Sequence, residues 1–591
     1  MLDDVFKGLN EQQKKAVSYV KGPSIILAGA GSGKTRVLIY KVIHLINNHK
    51  VDSSSILMIT FTNKAAGELK KRMRFHQKKS LGYVGTFHSF CAQVLRSEGI
   101  HIGLNKGFVI YDDDDQLALM KAIVKEKEVK RFSPSFILNR ISAAKNQLIS
   151  PKRYLQTFSD YSASQIYELY TEYVRRLRLH QAVDFDDLIM LTVELFAKYP
   201  SILKQYQDKY TYIFVDEFQD TNYAQYHLTQ SLGNRNNNIT VVGDFSQSIY
   251  SWRGADMRNL EKFKEDFSQC KTFLLERNYR SSQKILDFAY EIIAKNEGHP
   301  ILKLYTENKI GEEIPIYEAR DESDEAFYVS TEIERLRGIY LYESIAVLYR
   351  TNAQSRAIEE SFLHYGIPYV LIGGTRFYER KEVKDVLSYM RLLINPLDGV
   401  ARERIIKLGK RKWIAFKEKY EELQKKSENL QTAELMERVF QETGYLELYN
   451  PSDEEDYSRL ENIKELKSVA IHFPNIIEFL QQVALVESEY SEGEKKKKAN
   501  EGVRLMTLHQ AKGLEFKAVF IVGVEDGILP HARSIDDYFQ LEEERRLFYV
   551  GITRAQEKLY ISYARRRYMY GRRGEGMKSR FLGGEEARID W

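Results

Sequence analysis

The sequence is poor in cysteine and has no long apolar run, and each shortage excludes a class of function. Cys91 and Cys270 are the only cysteines in 591 residues. Two isolated thiols cannot build a disulfide framework, a four-cysteine zinc site or an iron–sulfur cluster, and they suit a reducing compartment. No stretch approaches the roughly 20 apolar residues that span a bilayer. The acidic start MLDDVFKGLN lacks the apolar centre of a signal peptide. The expected location is therefore cytoplasmic, with no membrane partner. Charge of one sign is scarce too. Lys+Arg 88 against Asp+Glu 83 leaves +5, with a pI near 8.6, which neither demands nor forbids a nucleic-acid partner. What is present is core material. Hydrophobic residues at 43% and aromatics at 12% rule out a mainly disordered chain. The length predicts about three to five domains at roughly 100–200 residues each.

Along the chain, PSIILAGAGSGKT is a short apolar run ending in glycines, and TRVLIYKVIHLI continues at helical spacing. SILMITFTN and NKAAGELKKRM repeat the strand-then-helix rhythm. From about Phe108 to Gln181 the strand signal vanishes and a helical insertion is expected. Its opening YDDDDQ reads as a helix cap favoured by the helix dipole, in preference to a metal cluster. Strands return in YTYIFVDEFQD and NITVVGDFSQ, then in ESIAVLYR, GIPYVLIGG, VRLMTLHQ and KAVFIVGVED. A second helical, charged stretch lies between Glu379 and Glu501 and ends in SEGEKKKKANEG, a solvated linker by composition. The fold class is α/β: two α/β domains, each with a mainly helical insertion.

AGAGSGKT (Ala28, Gly29, Ala30, Gly31, Ser32, Gly33, Lys34, Thr35) follows an apolar strand and opens a helix. Small residues there let backbone N–H groups wrap phosphates, and the helix N-terminus favours their charge. Ala28 stands where the general pattern has its first glycine. Lys34 is placed to neutralise the β- and γ-phosphates of ATP, and Thr35 to put its hydroxyl on Mg²⁺. TYIFVDEFQD supplies the carboxylates: behind a buried run, Asp216 can hold the magnesium shell while Glu217 takes a proton from the attacking water.

With these motifs the chain resembles the UvrD/Rep/PcrA-like family of superfamily 1 DNA helicases almost end to end. In the family's order stand LNEQQKKAV, AGAGSGKT, TFTNKAAGELKKR, GTFHSF, VDFDDLI, VDEFQDTN, GDFSQSIYSWRGAD, LERNYRS, AVLYRTNAQSRAIEE, LMTLHQAKGLEF and EEERRLFYVGITRA. The resemblance implies two RecA-like P-loop domains of parallel sheet flanked by helices. The first spans 1–107 and 182–275 with insertion 108–181; the second spans 276–378 and 502–591 with a shortened insertion 379–501. ATP would lie between them. The implied nucleotide contacts are Gln13 reading adenine, Arg36, Tyr279 stacking on adenine and Glu515 on ribose. Gln247 would sense the γ-phosphate, and Arg280 and Arg554 would be arginine fingers. The implied DNA contacts are Phe61, Asn63, Thr86, Phe87, His88, Tyr250, Trp252, Arg253, His509 and Tyr570. Stacked aromatics bind bases of any sequence, as a motor requires. For Phe87 and Tyr570 core packing is the competing assignment.

The implied activity is ATP-driven 3′→5′ movement on single-stranded DNA, with unwinding of 3′-tailed duplexes in DNA repair, replication or recombination. It points to no particular protein partner. Three features depart from the family. Ser246 stands where Asp is usual. LGKRKWIAF stands near where longer members carry a Gly-Ile-Gly hairpin. MKSRFLGGEEARIDW closes the sequence where some relatives extend to bind RNA polymerase. The alternative is a translocase that mainly displaces proteins from DNA. A small-molecule kinase is opposed by Arg280 and Arg554, and a nuclease fusion by the lack of residues for one.

Overall fold

A computed structural model describes residues 6–76, 81–427, 430–451, 453–495, 501–569 and 572–583. The chain forms two compact units: 1–280 with 296–307, and 281–295 with 308–591.

The first unit is built on a six-stranded sheet, parallel throughout. Its order is Tyr83–Thr86, Ile56–Thr60, Tyr212–Val215, Ile239–Gly243, Ser24–Ala28, Lys271–Leu275. Strands buried on both faces read as continuous apolar runs, and ILMIT and SIILA are wholly buried. Side chains alternate between two cores with the period of a strand. Ile25, Leu27, Leu57 and Ile59 face helices Phe87–Glu98 and Phe185–Lys198, while Ile26, Ile56 and Met58 face helix Lys34–Asn48. Helices Asp113–Glu126, Pro134–Asn146, Pro151–Thr157 and Ala163–Leu179 fill the first insertion around their own core of Met120, Ile141, Tyr154, Tyr170 and Tyr173. The aspartate run caps a helix: Asp112 accepts from Asp115 N, and the Asp115 side chain accepts from Asp112 N.

The second unit has a parallel sheet ordered Ile316–Ala319, Ala555–Ala564, Phe516–Ile521, Ile345–Tyr349, Val503–Thr507, Tyr369–Leu371. Among the described residues between the last two lie six α-helices, from Lys381–Ile394 to Ile476–Lys495. Among the described residues no single helix is long and apolar enough to cross a membrane.

One expected boundary moves. Residues 276–280 and 296–307 belong to the first unit, not the second. Arg277–Asn278 pairs with Tyr305–Thr306, Asn278 Nδ2 donates to Ala30 O at 2.7 Å, and Tyr279 N donates to Gly31 O at 2.9 Å. The segment is tied to the glycine loop, a tertiary link that strand-and-helix rhythm does not reveal.

Candidate nucleotide site and aromatic track

Strand Ser24–Ala28 delivers the chain into Gly29–Gly33, and helix Lys34–Asn48 follows. Gly31 (φ 64°) and Gly33 (φ 86°) are left-handed, a conformation glycine adopts without strain. Gly33 is the N-cap, and no side chain bonds to this helix end. Its first N–H groups are therefore oriented for an anion, as the terminal amides and helix dipole favour. The loop is supported from below: Ser32 Oγ donates to Gly29 O at 2.8 Å.

The sheet order places the carboxylates beside it. Asp216 follows strand Tyr212–Val215 and Asp244 follows Ile239–Gly243. Lys34 Nζ lies 3.7 Å from Asp244 Oδ2. Burial, then the Glu217 charge, pushes the Asp216 carboxyl up to about 7, opposed by Lys34 and by a hydrogen bond with the Thr35 hydroxyl. Burial also raises Asp244. Glu217 is held at φ 53°, a region costing a non-glycine residue on the order of 1–3 kcal/mol. Gln219, which sequence reading missed, spans the site. Its Nε2 donates to Glu217 Oε2 at 2.6 Å and its Oε1 accepts from Asp244 N at 3.0 Å. Gln247 is buried, and its Nε2 donates to Asp244 Oδ2 at 2.5 Å.

Thr35 and Asp216 offer the hard oxygen donors Mg²⁺ prefers. Among the described residues no three His, Cys, Asp or Glu side chains gather to hold a metal by themselves.

The surrounding residues vary in how they meet expectation. Gln13 is buried, and its amide is engaged at both ends: Oε1 accepts from Asn10 N at 3.1 Å and Nε2 donates to Ser32 O at 3.0 Å. It therefore acts as a strut under the phosphate loop. Tyr279 is 39% exposed, with its hydroxyl accepting from Asn10 Nδ2 at 2.9 Å and Arg277 over its ring. Arg280 N donates to Asn278 Oδ1 at 2.7 Å, beside Gly31. Arg36 lies over the Tyr40 ring.

In the second unit, Arg554 is buried. Its Nε donates to Val550 O at 2.9 Å, Nη1 to Leu514 O at 3.2 Å and Nη2 to Thr553 Oγ1 at 3.1 Å. Glu515 is exposed and accepts from Gln556 Nε2 at 3.1 Å. His509 is half-buried. Burial and then the Arg350 guanidinium push it down to about 3, so the ring is neutral at physiological pH.

The aromatic track of the first unit is a set of adjoining rings. Phe61 stacks on Tyr250 with centroids 5.9 Å apart, and Tyr250 meets Trp252 edge-on at 6.4 Å. Trp252 is 53% exposed, and Asn63, two residues after Phe61, is exposed at the start of helix Asn63–His76. His88 meets the exposed Phe185 edge-on. Phe185, within VDFDDLI, was not singled out by motif matching. Two expected contacts are corrected. Phe87 lies in the core at 2% exposure, and the Thr86 hydroxyl caps helix Phe87–Glu98 by accepting from Ser89 N at 3.2 Å. The strand-to-helix turn uses both residues to fix itself, and His88 beside them is half-buried. Tyr570 and the Arg253 side chain lie outside the described residues.

A glycine loop opening an uncapped helix, with a lysine, a threonine and two carboxylates grouped at the strand ends, defines a P-loop nucleoside-triphosphate-binding domain. The model of the UvrD/REP helicase N-terminal domain matches residues 9–268, and that of the UvrD-like helicase C-terminal domain matches 273–415 and 409–566. The chain belongs to the UvrD/REP helicase family. Similar relatives are named ATP-dependent DNA helicase PcrA. Those of Staphylococcus epidermidis (strain RP62A) and Bacillus subtilis (strain 168) are each 40% identical over 98% of this chain, covering 87% and 86% of the relative.

Proposed function

We propose that this chain is an ATP-dependent DNA helicase that moves 3′→5′ along single-stranded DNA and unwinds 3′-tailed duplexes in DNA repair, replication or recombination. The observation that carries this reading is one loop. The segment from Asp244 to Trp252 joins the buried Gln247–Asp244 contact to the half-buried Tyr250 ring and the exposed Trp252 ring within nine residues.

In this reading the Gly29–Thr35 amides and Lys34 hold the ATP phosphates. Thr35 and Asp216 would hold Mg²⁺, which when bound neutralises phosphate charge. Glu217, oriented by Gln219, accepts the proton of the attacking water. Gln247 meets the γ-phosphate, while Arg280 and Arg554 stabilise charge that develops in the transition state. Exchange of Gln247 between Asp244 and the γ-phosphate shifts the loop, and with it the rings on which bases stack. A two-position element biased by nucleotide is what a stepping motor needs. The 40% identity to PcrA helicases supports the helicase reading. Unwinding of 3′-tailed, 5′-tailed and blunt duplexes with ATP tests it. Separation confined to the 3′-tailed substrate is expected; equal separation of the 5′-tailed duplex would overturn the direction, and ATPase without DNA stimulation would overturn the motor.

A further inference from the structure

Ser246 departs from the family's usual Asp, and the structure gives it a partner. Ser246 Oγ and His299 Nε2 share a hydrogen bond of 3.1 Å, and both residues are buried. His299 lies on Asn296–Glu307, a segment of the first unit whose covalent neighbours on both sides belong to the second. The same segment touches the nucleotide site elsewhere. A Cβ at Gly29 would collide with the Leu304 side chain, Thr306 Oγ1 donates to Asn278 O at 2.9 Å, and Tyr305 N donates to Glu276 O at 3.1 Å. It therefore lies against the phosphate loop, against the strand leading to Arg280, and against the loop bearing Gln247.

We propose that His299 is a positioning residue for ATP hydrolysis: through Ser246 it fixes the Asp244–Gln247 turn, so that Gln247 is aimed when the γ-phosphate arrives. The proposal rests on the reading of Gln247 as the γ-phosphate contact. Ser246 lies inside that turn. Its N–H donates to Asp244 Oδ1 at 3.2 Å, and Gln247 N donates to Asp244 O at 2.9 Å. The turn is thus set by Asp244 on one side and His299 on the other. A hydroxyl–imidazole pair does this without adding another carboxylate beside Asp216, Glu217 and Asp244.

The test is DNA-stimulated ATPase of the full chain carrying Ser246→Ala, His299→Phe, both together, His299→Gln and Gln247→Ala. Losing one buried hydrogen bond should lower kcat about tenfold in either single variant, with KM for ATP and Tm little changed. The double variant should lose no more than the singles, and His299→Gln should restore kcat to within about twofold, since its amide can still bond the hydroxyl. Additive losses, a loss carried by KM, or unchanged turnover in both singles while Gln247→Ala is inactive would overturn the role of His299. Full turnover in Gln247→Ala would overturn the underlying reading instead. If His299→Phe fails to fold, Ser246→Ala with its KM-against-kcat split still decides.

Discussion

The phosphate pocket and the aromatic track belong to the same unit, yet they are held in opposite ways. Asp216, Gln219, Asp244 and Gln247 are each at most 5% exposed; Asp244 accepts from Gln247 and donates its N–H to Gln219, and Asp216 Oδ1 accepts from Glu217 N. Phe61 stacks on Tyr250 and Tyr250 meets Trp252 edge-on, with Trp252 half open. The pocket must place charge to within a fraction of an ångström, which calls for buried, mutually bonded groups. In the proposed function the track must release every base it binds, and a half-open ring such as Trp252, with modest stacking energy, suits that. Mutations should therefore act on turnover in one region and on grip or stepping in the other.

The sharpest break of this contrast lies in the second unit. Arg554→Ala should lower kcat by about 10³-fold or more, the scale of an arginine finger. The side chain is buried and bonded to Val550 O and Leu514 O, so Tm should fall as well. ATP affinity is the deciding readout: weakened binding with unchanged turnover would make Arg554 an ordinary phosphate contact. Next in size, Glu217→Gln should bind ATP yet hydrolyse it at least ~10²-fold more slowly. Near-normal stimulated turnover would remove Glu217 from proton transfer.

On the other side of the comparison, Trp252→Ala should weaken single-strand affinity by about 1–3 kcal/mol with Tm unchanged, because the ring is exposed. A titration showing no loss of affinity would take Trp252 off the track.

The smallest effect concerns stability. A carboxyl whose pKa is raised in the folded state binds its proton more tightly there, so ligand-free protein loses stability as pH climbs from 3.8 through about 7. Asp216→Asn removes that loss. Its Tm advantage over the parent should be absent at acid pH and grow to several degrees at pH 8, while ATPase disappears. An advantage independent of pH would assign the effect to packing.

Much of the pocket was legible because its chemistry is local. A phosphate loop needs glycines, lysine and threonine in one run, and DE behind TYIFV announces strand-end carboxylates. Gln219 was hidden because its importance lies in bridging Glu217 to a turn on the adjacent strand. Phe87 was misassigned although Phe87, Phe90, Cys91 and Val94 already show the i, i+3, i+4, i+7 spacing of a buried helix face. Motif position was followed where periodicity gave the better answer. The return of Asn296–Glu307 to the first unit was likewise invisible, since His299, Leu304 and Thr306 reach the pocket through contacts distant in sequence.

Coupling between pocket and track is the central claim, and strand displacement by Trp252→Ala at saturating DNA tests it most directly. The account predicts that DNA-free ATPase is retained while most unwinding is lost, because the ring is part of what moves and not only of what binds. Full unwinding restored by excess DNA would make Trp252 a binding contact alone and contradict the coupling.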